Sequence, residues 1–311
     1  MNVSRQRSRA GPFVKKIIAA FLGFALLAIA SIGSYEYLKV VLGPDYDAEE
    51  MLLNYEIVGT GPKQLVLIHG LTGSLNYWKQ DIESISDTHT LLLIDLLGFG
   101  RSPKPNSDYT LDTQLRAIEK VIIKAGFDKR RSLVVGHSMG SIIALALLGK
   151  HQNWFDGGIF ISFPAYRDAQ EFKKQMSTHS LFDRLTTSNL SPYLCMFHPV
   201  FMNRAFKPVN LTDQVFDDSK KHTWQSYDLS LNKIVLRTDL FGIAQSAKHK
   251  KVIFVHGDSD ESAPIENARL LASSFAYKEF VTVDAGDHQF FLRQPQLVWE
   301  IVGSFGRTND S

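Results

Sequence analysis

Ser138 sits in Gly136-His137-Ser138-Met139-Gly140, between the apolar run Leu133–Val135 and an apolar, helix-like stretch that begins at Met139. A serine in G-x-S-x-G between a strand and a helix is held on a sharp turn that exposes its hydroxyl, as a nucleophile requires. Side chains two positions away clash in so tight a turn, hence the flanking glycines. The following helix adds positive potential at its N-terminus for a developing oxyanion. A serine hydroxyl is a weak nucleophile without a base, and the base needs a partner to set its tautomer. His288, in the turn Asp284–Phe291 after the apolar run Phe280–Val283, is the candidate base. Asp260 is the candidate acid: it follows the run Lys251–Val255 and stands four residues before Pro264. Asp258 and Glu261 in the same loop compete with it. His137 is read as packing, its position turning it away from the nucleophile's face.

Side chains this far apart meet only if the strands that carry them end side by side. Leu52–Val58, Gln64–Ile68, Thr90–Asp95, Ser132–Val135, Gly158–Ser162, Lys251–Val255 and Phe280–Val283 read as strands. Most are unbroken β-branched and leucine runs, the pattern of strands buried on both faces in a parallel sheet. Helices are expected at Leu75–Ser86, Leu111–Ala125, Met139–Lys150, Ile265–Phe275 and Pro295–Phe305. Such alternation gives an α/β fold with a mostly parallel sheet flanked by helices, built from residues 51–164 and 248–311. Residues 165–247 break the pattern with helix-like pieces rich in Phe, Tyr, Leu and Met. A connection of that length is too long for an ordinary loop. It is expected to form an inserted helical cap over the carboxyl ends of the strands, where open α/β sheets bind ligands.

His69-Gly70, the Asp95–Ser102 segment DLLGFGRS, GHSMG at 136–140, GDSDESAP at 257–264 and Gly286-Asp287-His288 occur in this order from Leu52 to Phe305. In that order they resemble the α/β-hydrolase superfamily, and with the leader described below they resemble membrane-associated monoacylglycerol-lipase-like serine esterases. The resemblance implies the chain order nucleophile, acid, base met by Ser138, Asp260 and His288. In this fold one oxyanion-hole amide follows the nucleophile and the other lies in the loop after an early strand, which points to the backbone N–H groups of Met139 and Leu71. His69 is then a residue that holds this loop. A serine at 138 argues against relatives with an aspartate nucleophile.

The net charge of +2 is unevenly spread. Residues 1–16 hold Arg5, Arg7, Arg9, Lys15 and Lys16 with no acid; taking those five from 34 bases leaves 29 against 32 acids. The body therefore offers no electrostatic reason to bind nucleic acid. Residues 17–35 are free of charge and close to the length that crosses a bilayer. Bases precede the run and acids follow it, so the N-terminus is expected in the cytoplasm and the body outside it, after a linker at 36–50. The apolar run continues past the small-x-small site Ala28-Ile29-Ala30, which favours an uncleaved anchor. Cleavage there leaves a secreted or periplasmic enzyme. Cys195 is the only cysteine and reads as packing, as do His151, His179, His198, His222 and His249. No metal-ligand spacing or phosphate-cradling lysine is present, so neither metal nor cofactor is expected. The chemistry expected is hydrolysis of a small-molecule or lipid-derived ester. The alternatives are carbon–carbon bond hydrolysis on the same fold and a catalytically silent binding protein.

Overall fold

Seven strands form one sheet: β1 (Tyr55–Val58), β2 (Lys63–Ile68), β3 (His89–Ile94), β4 (Ser132–His137), β5 (Phe155–Ile161), β6 (Lys251–Gly257) and β7 (Tyr277–Val283). Their order is β1-β3-β2-β4-β5-β6-β7, and every pairing is parallel except the antiparallel edge pair β1–β3. The computed structural model describes residues 12–177, 188, 191–197, 202, 204, 207 and 211–305. Arg5, Arg7 and Arg9 of the basic leader, His179 and His198 lie outside the described residues.

The central strands are apolar on both faces because helices cover both. α3 (Leu111–Ala125) and α4 (Met139–Lys150) pack into one core layer with Val66, Leu92 and Val134. α11 (Pro295–Ser304) and α2 (Glu83–Ser86) pack into the other with Leu65, Leu91 and Val135. α3 begins at Thr110, whose side chain accepts from the Thr113 N–H, and stops at Gly126 in the left-handed region (φ 75°). α4 is buried from Met139 to Leu148, as an apolar helix pressed under a sheet must be.

The expected helix at 75–86 is two short pieces, a 3₁₀ turn at Leu75–Trp78 and α2. Its apolar spacing is real: Leu75, Trp78, Ile82 and Ile85 are all buried. Tertiary hydrogen bonds capture the backbone instead. The Leu75 N–H donates to Asp95 Oδ1 (2.7 Å), the Trp299 indole donates to the Gln80 carbonyl (2.9 Å), and Asp81 turns the chain at φ 52°.

Among the described residues no strand lies between β5 and β6. That interval holds α5 (Ala169–Met176), α6 (Ser191–Met196), α7 (Asp213–Ser219), α8 (Trp224–Ser230), a π-helical segment at Leu231–Val235 and α9 (Leu240–Ala247). α9 packs on α4 and joins the core layer through Leu240, Ala244 and Ala247, so this end of the interval flanks the sheet. α10 (Ile265–Ala272) follows β6. The insertion grips the rim: Asp218 of α7 accepts from Ser74 Oγ (3.0 Å) and from the Asn76 amide, and Ser226 Oγ of α8 donates to the Gly98 carbonyl (3.0 Å). From Asp95 to Gly100 the loop after β3 is buried, although its glycines suit a surface turn.

At the N-terminus, α1 (Pro12–Val41) runs past Tyr35 into the expected linker. Beyond it the Tyr46 N–H donates to the Asn106 carbonyl (2.9 Å) and Lys120 Nζ to the Ala48 carbonyl (2.8 Å), so this stretch is fastened to the body. Lys16–Val41 is apolar enough and long enough to cross a membrane, with only 6% of its most apolar stretch buried.

Asp95 is the tie of the rim. Its buried carboxylate accepts from the Leu75 N–H, the Arg101 N–H (2.8 Å) and Asn54 Nδ2 (2.8 Å), joining the loops after β2 and β3. Asp95→Ala orphans these donors and is expected to lower the unfolding free energy by about 2–3 kcal/mol, read from the denaturant midpoint at unchanged slope.

Candidate active site

The chain leaves β2 toward β3 on one side and returns at β4 on the other, so a crevice opens between the ends of β2 and β4. Ser138 stands there, between β4 and α4, at φ 52° and ψ −125°. Such a backbone costs about 1–3 kcal/mol in a residue with a Cβ and needs support. The Ser138 N–H donates to the Ile161 carbonyl (2.9 Å), the Ser141 N–H to the Ser138 carbonyl (2.8 Å) and Ser141 Oγ to the Gly136 carbonyl (2.8 Å). A Cβ on Gly136 would lie 2.3 Å from the Gly140 carbonyl oxygen, and one on Gly140 would lie 2.4 Å from that of Ile68. The first glycine lets the turn close; the second lets α4 start against the end of β2.

The turn after β7 brings His288 to this serine. Its Nε2 lies 2.9 Å from Ser138 Oγ, and its Nδ1 lies 2.9 Å and 3.1 Å from the two Asp260 oxygens. Asp260 is an acceptor only, so Nδ1 carries the proton and Nε2 is free to accept from the serine hydroxyl. Asp260 also accepts from the Ser262 and Ala263 N–H groups at 2.9 Å each. Asp258 and Glu261 are exposed, and of the three carboxylates in the loop Asp260 is the one that meets His288.

Burial disfavours the His288 cation, but the charge and hydrogen bond of Asp260 outweigh it, and the imidazole pKa rises above 6.5. Burial also penalises the Asp260 carboxylate. The His288 charge and the donors around Asp260 prevail there, so its pKa falls below the ordinary value. The pair is thus poised as carboxylate beside imidazole, with 21% of the His288 side chain exposed and none of the Asp260 side chain.

Two further histidines meet this assembly. His137 does not simply turn away. It is buried beneath His288 with ring centroids 5.1 Å apart, and its Nε2 donates to the His288 carbonyl oxygen (2.8 Å). Burial, with the nearby His288 charge, depresses its pKa to about 3, so it stays neutral. His256, at the end of β6, is fully buried; its Nε2 donates to the Ala263 carbonyl (3.1 Å) and lies 3.4 Å from Asp260 Oδ2. Its only sequence signal was a histidine immediately before Gly257. His69 has the holding role its sequence suggested: Nε2 accepts from the Leu96 N–H (3.0 Å) and Nδ1 donates to the Gly70 carbonyl (2.7 Å).

Met139 is the first residue of α4, where a helix leaves its N–H without an intrahelical acceptor. Leu71 follows Gly70, at which a Cβ would lie 3.0 Å from that of Ser138, so the loop after β2 abuts the serine turn. The other sequence candidates lie elsewhere. Cys195 is buried, with its thiol pushed up to about 12 by burial, and its Sγ lies 3.2 Å from His222 Nε2. His151 stacks on Trp154 at 3.8 Å, and His249 is exposed.

The profile of the alpha/beta hydrolase fold family matches residues 63–294. The Arabidopsis thaliana protein named Probable lysophospholipase BODYGUARD 3 is 25% identical over 285 residues, which is 78% of this chain and 56% of that protein. The chain spans little more than half the length of this relative. Among solved structures, an esterase from Thermogutta terrifontis superposes with a TM-score of 0.64 at 19% identity, over 82% of this chain and 93% of that one. A bromoperoxidase from Bacillus anthracis superposes with a TM-score of 0.67 at 17% identity, over 86% of this chain and all of the other. At these identities the structural likeness speaks for fold, and one fold hosts many reactions. The chain belongs to the α/β-hydrolase family.

Proposed function

We propose that this chain is a serine hydrolase that cleaves carboxylic esters through an acyl-enzyme on Ser138, with His288 as base and Asp260 as orienting acid. The observation that carries this reading is the unbroken contact from Ser138 Oγ through His288 to the buried Asp260. In the forward step His288 Nε2 takes the hydroxyl proton while Oγ attacks the acyl carbonyl. The Leu71 and Met139 amides donate to the oxyanion, and collapse expels the alcohol, which receives its proton from His288. A water deprotonated by the same imidazole then attacks the acyl group and releases the acid, restoring Ser138. Asp260 holds the imidazole tautomer and stabilises its cation.

The substrate proposed is a lipid-derived ester. Its supports are the apolar helix α1 and a relative named as a lysophospholipase. In this reading α1 crosses the membrane with the N-terminus cytoplasmic and the hydrolase body outside. Cleavage near Ala30 is the alternative and yields a secreted or periplasmic enzyme. The described insertion helices serve as the cap, with the core formed by 51–164 and 248–311 and extended by α9.

A fluorophosphonate probe is expected to label the folded protein and not Ser138→Ala, whose ester turnover falls by about 10³-fold or more. A wild-type protein that folds but takes no label sinks the reading in favour of a binding function. Preference for a vinylogous diketone over p-nitrophenyl esters replaces it with carbon–carbon hydrolysis.

The raised His288 pKa sets the acid limb of kcat/KM. The base works only when neutral, so activity is lost as pH falls and is halved at a pH above 6.5. Asp260→Asn removes the interactions that raise it and leaves burial, which pulls down. Its residual activity, lower by about 10³–10⁴-fold, is expected to show an acid limb displaced to lower pH.

His137 acts through His288. His137→Leu removes the donor to the His288 carbonyl and is expected to reduce kcat by about tenfold with little change in KM, whereas His137→Gln, which retains an N–H, recovers part of it. Equal loss in both variants, with KM raised, would assign His137 to packing alone.

A further inference from the structure

The end of α1 is part of the body. Gly33 is buried so closely that a Cβ there would come 2.7 Å from the Phe197 ring beyond α6. Tyr37 stacks on Trp224 of α8, with centroids 6.0 Å apart and planes inclined by 14°, and Val40 is 1% exposed. α8 in turn caps the Gly98 carbonyl, and the neighbouring α7 holds Ser74 and Asn76. Contacts therefore run without a break from α1, through the insertion, to the loops after β2 and β3 that flank Ser138.

The length of the apolar span has a consequence at this joint. Its 26 residues, Lys16–Val41, measure about 39 Å at 1.5 Å per residue, against about 30 Å of hydrocarbon. An upright helix leaves about six residues, Glu36 to Val41, in the headgroup layer, among them Tyr37, while the Gly33 contact falls one turn deeper. That zone favours tyrosine and tryptophan. In that placement Tyr37 and the Trp224 stacked on it fall in this zone, with the exposed Tyr35 (65%), Leu38 and Leu42 on α1, and Tyr193 on α6 is also exposed (62%).

We propose that the lipid bilayer is the partner that covers Tyr35, Leu38, Leu42 and Tyr193, so that the insertion is seated on the membrane surface and ester substrate reaches Ser138 from the bilayer. This rests on the membrane and ester readings above, and it makes α1 a mount for the catalytic rim and not a slack tether.

Two measurements on the full chain in phosphatidylcholine vesicles test it. The first needs no activity. Tyr193→Cys combined with Cys195→Ala carries one fluorophore, and Tyr277→Cys in the same background carries it at the start of β7. Nitroxide-labelled lipid is expected to quench the label at 193 several-fold more than the label at 277, since collisional contact requires adjacency to lipid. Equal, weak quenching at the two positions overturns the proposal. So does a spectral change at 193 that follows protein density and not lipid, because a second copy then covers the patch.

The second compares a bilayer-resident monoacyl ester with soluble p-nitrophenyl butyrate. Gly33→Leu wedges the Phe197 contact open, and Tyr37→Ala serves if that variant does not fold. The ratio of bilayer to soluble turnover is expected to fall about tenfold while soluble turnover stays within about twofold, as loss of effective concentration predicts. An unchanged ratio overturns the proposal. A wild type that cleaves neither ester defeats the hydrolase reading, and the quenching result still decides whether the insertion faces lipid.

Discussion

The backbone at Ser138 is the constraint from which the rest follows. A residue with a Cβ is held at φ 52° in a turn that no local preference stabilises. It persists because β5 accepts its N–H, Ser141 ties its two sides together and α4 is buried along ten consecutive residues. The glycines at 136 and 140 are the steric condition for that arrangement, since any side chain there meets backbone atoms. The strained turn, the sheet edge and the first turn of α4 are in this sense one structure.

Around the turn, charge is arranged so that each group is neutral or ionised for a reason. Asp260 remains a carboxylate in a buried position because two backbone N–H groups and His288 face it. His137 and His256, which also lie against the assembly, are kept neutral by burial and spend their Nε2 protons on backbone carbonyls. Of these three histidines His288 is the one whose pKa is raised, and it has partners on both ring nitrogens. A histidine cluster in which every ring titrated together would repel its own cations.

The insertion adds the third layer of organisation. It hydrogen-bonds the loops after β2 and β3 through Ser74, Asn76 and Gly98 and the segment after β6 through Glu261 and Asn267, and α1 packs against α6 and α8. The position of the apolar helix and the shape of the rim are therefore mechanically linked. The glycine-rich loop DLLGFGRS is buried from Asp95 to Gly100, although its composition suits a surface turn.

Much of this was legible in the chain itself. Apolar runs, most of them unbroken, announced all seven strands, a helix was expected at Leu111–Ala125 where α3 lies, and a glycine-flanked serine between strand and helix marked the sharp turn at 138. Those features are written in short windows, where periodicity, capping and turn sterics act among neighbours. The choice of Asp260 over Asp258 and Glu261 was only favoured there, and distances settled which carboxylate meets His288. The hydrogen bond from His137 to the His288 carbonyl, the closure of the Asp260 loop by His256, the splitting of 75–86 by Asp95 and Trp299, and the docking of α1 were beyond reach. Each joins residues far apart in sequence, and whether two such groups meet depends on how strands and helices pack, a property no local window of residues contains.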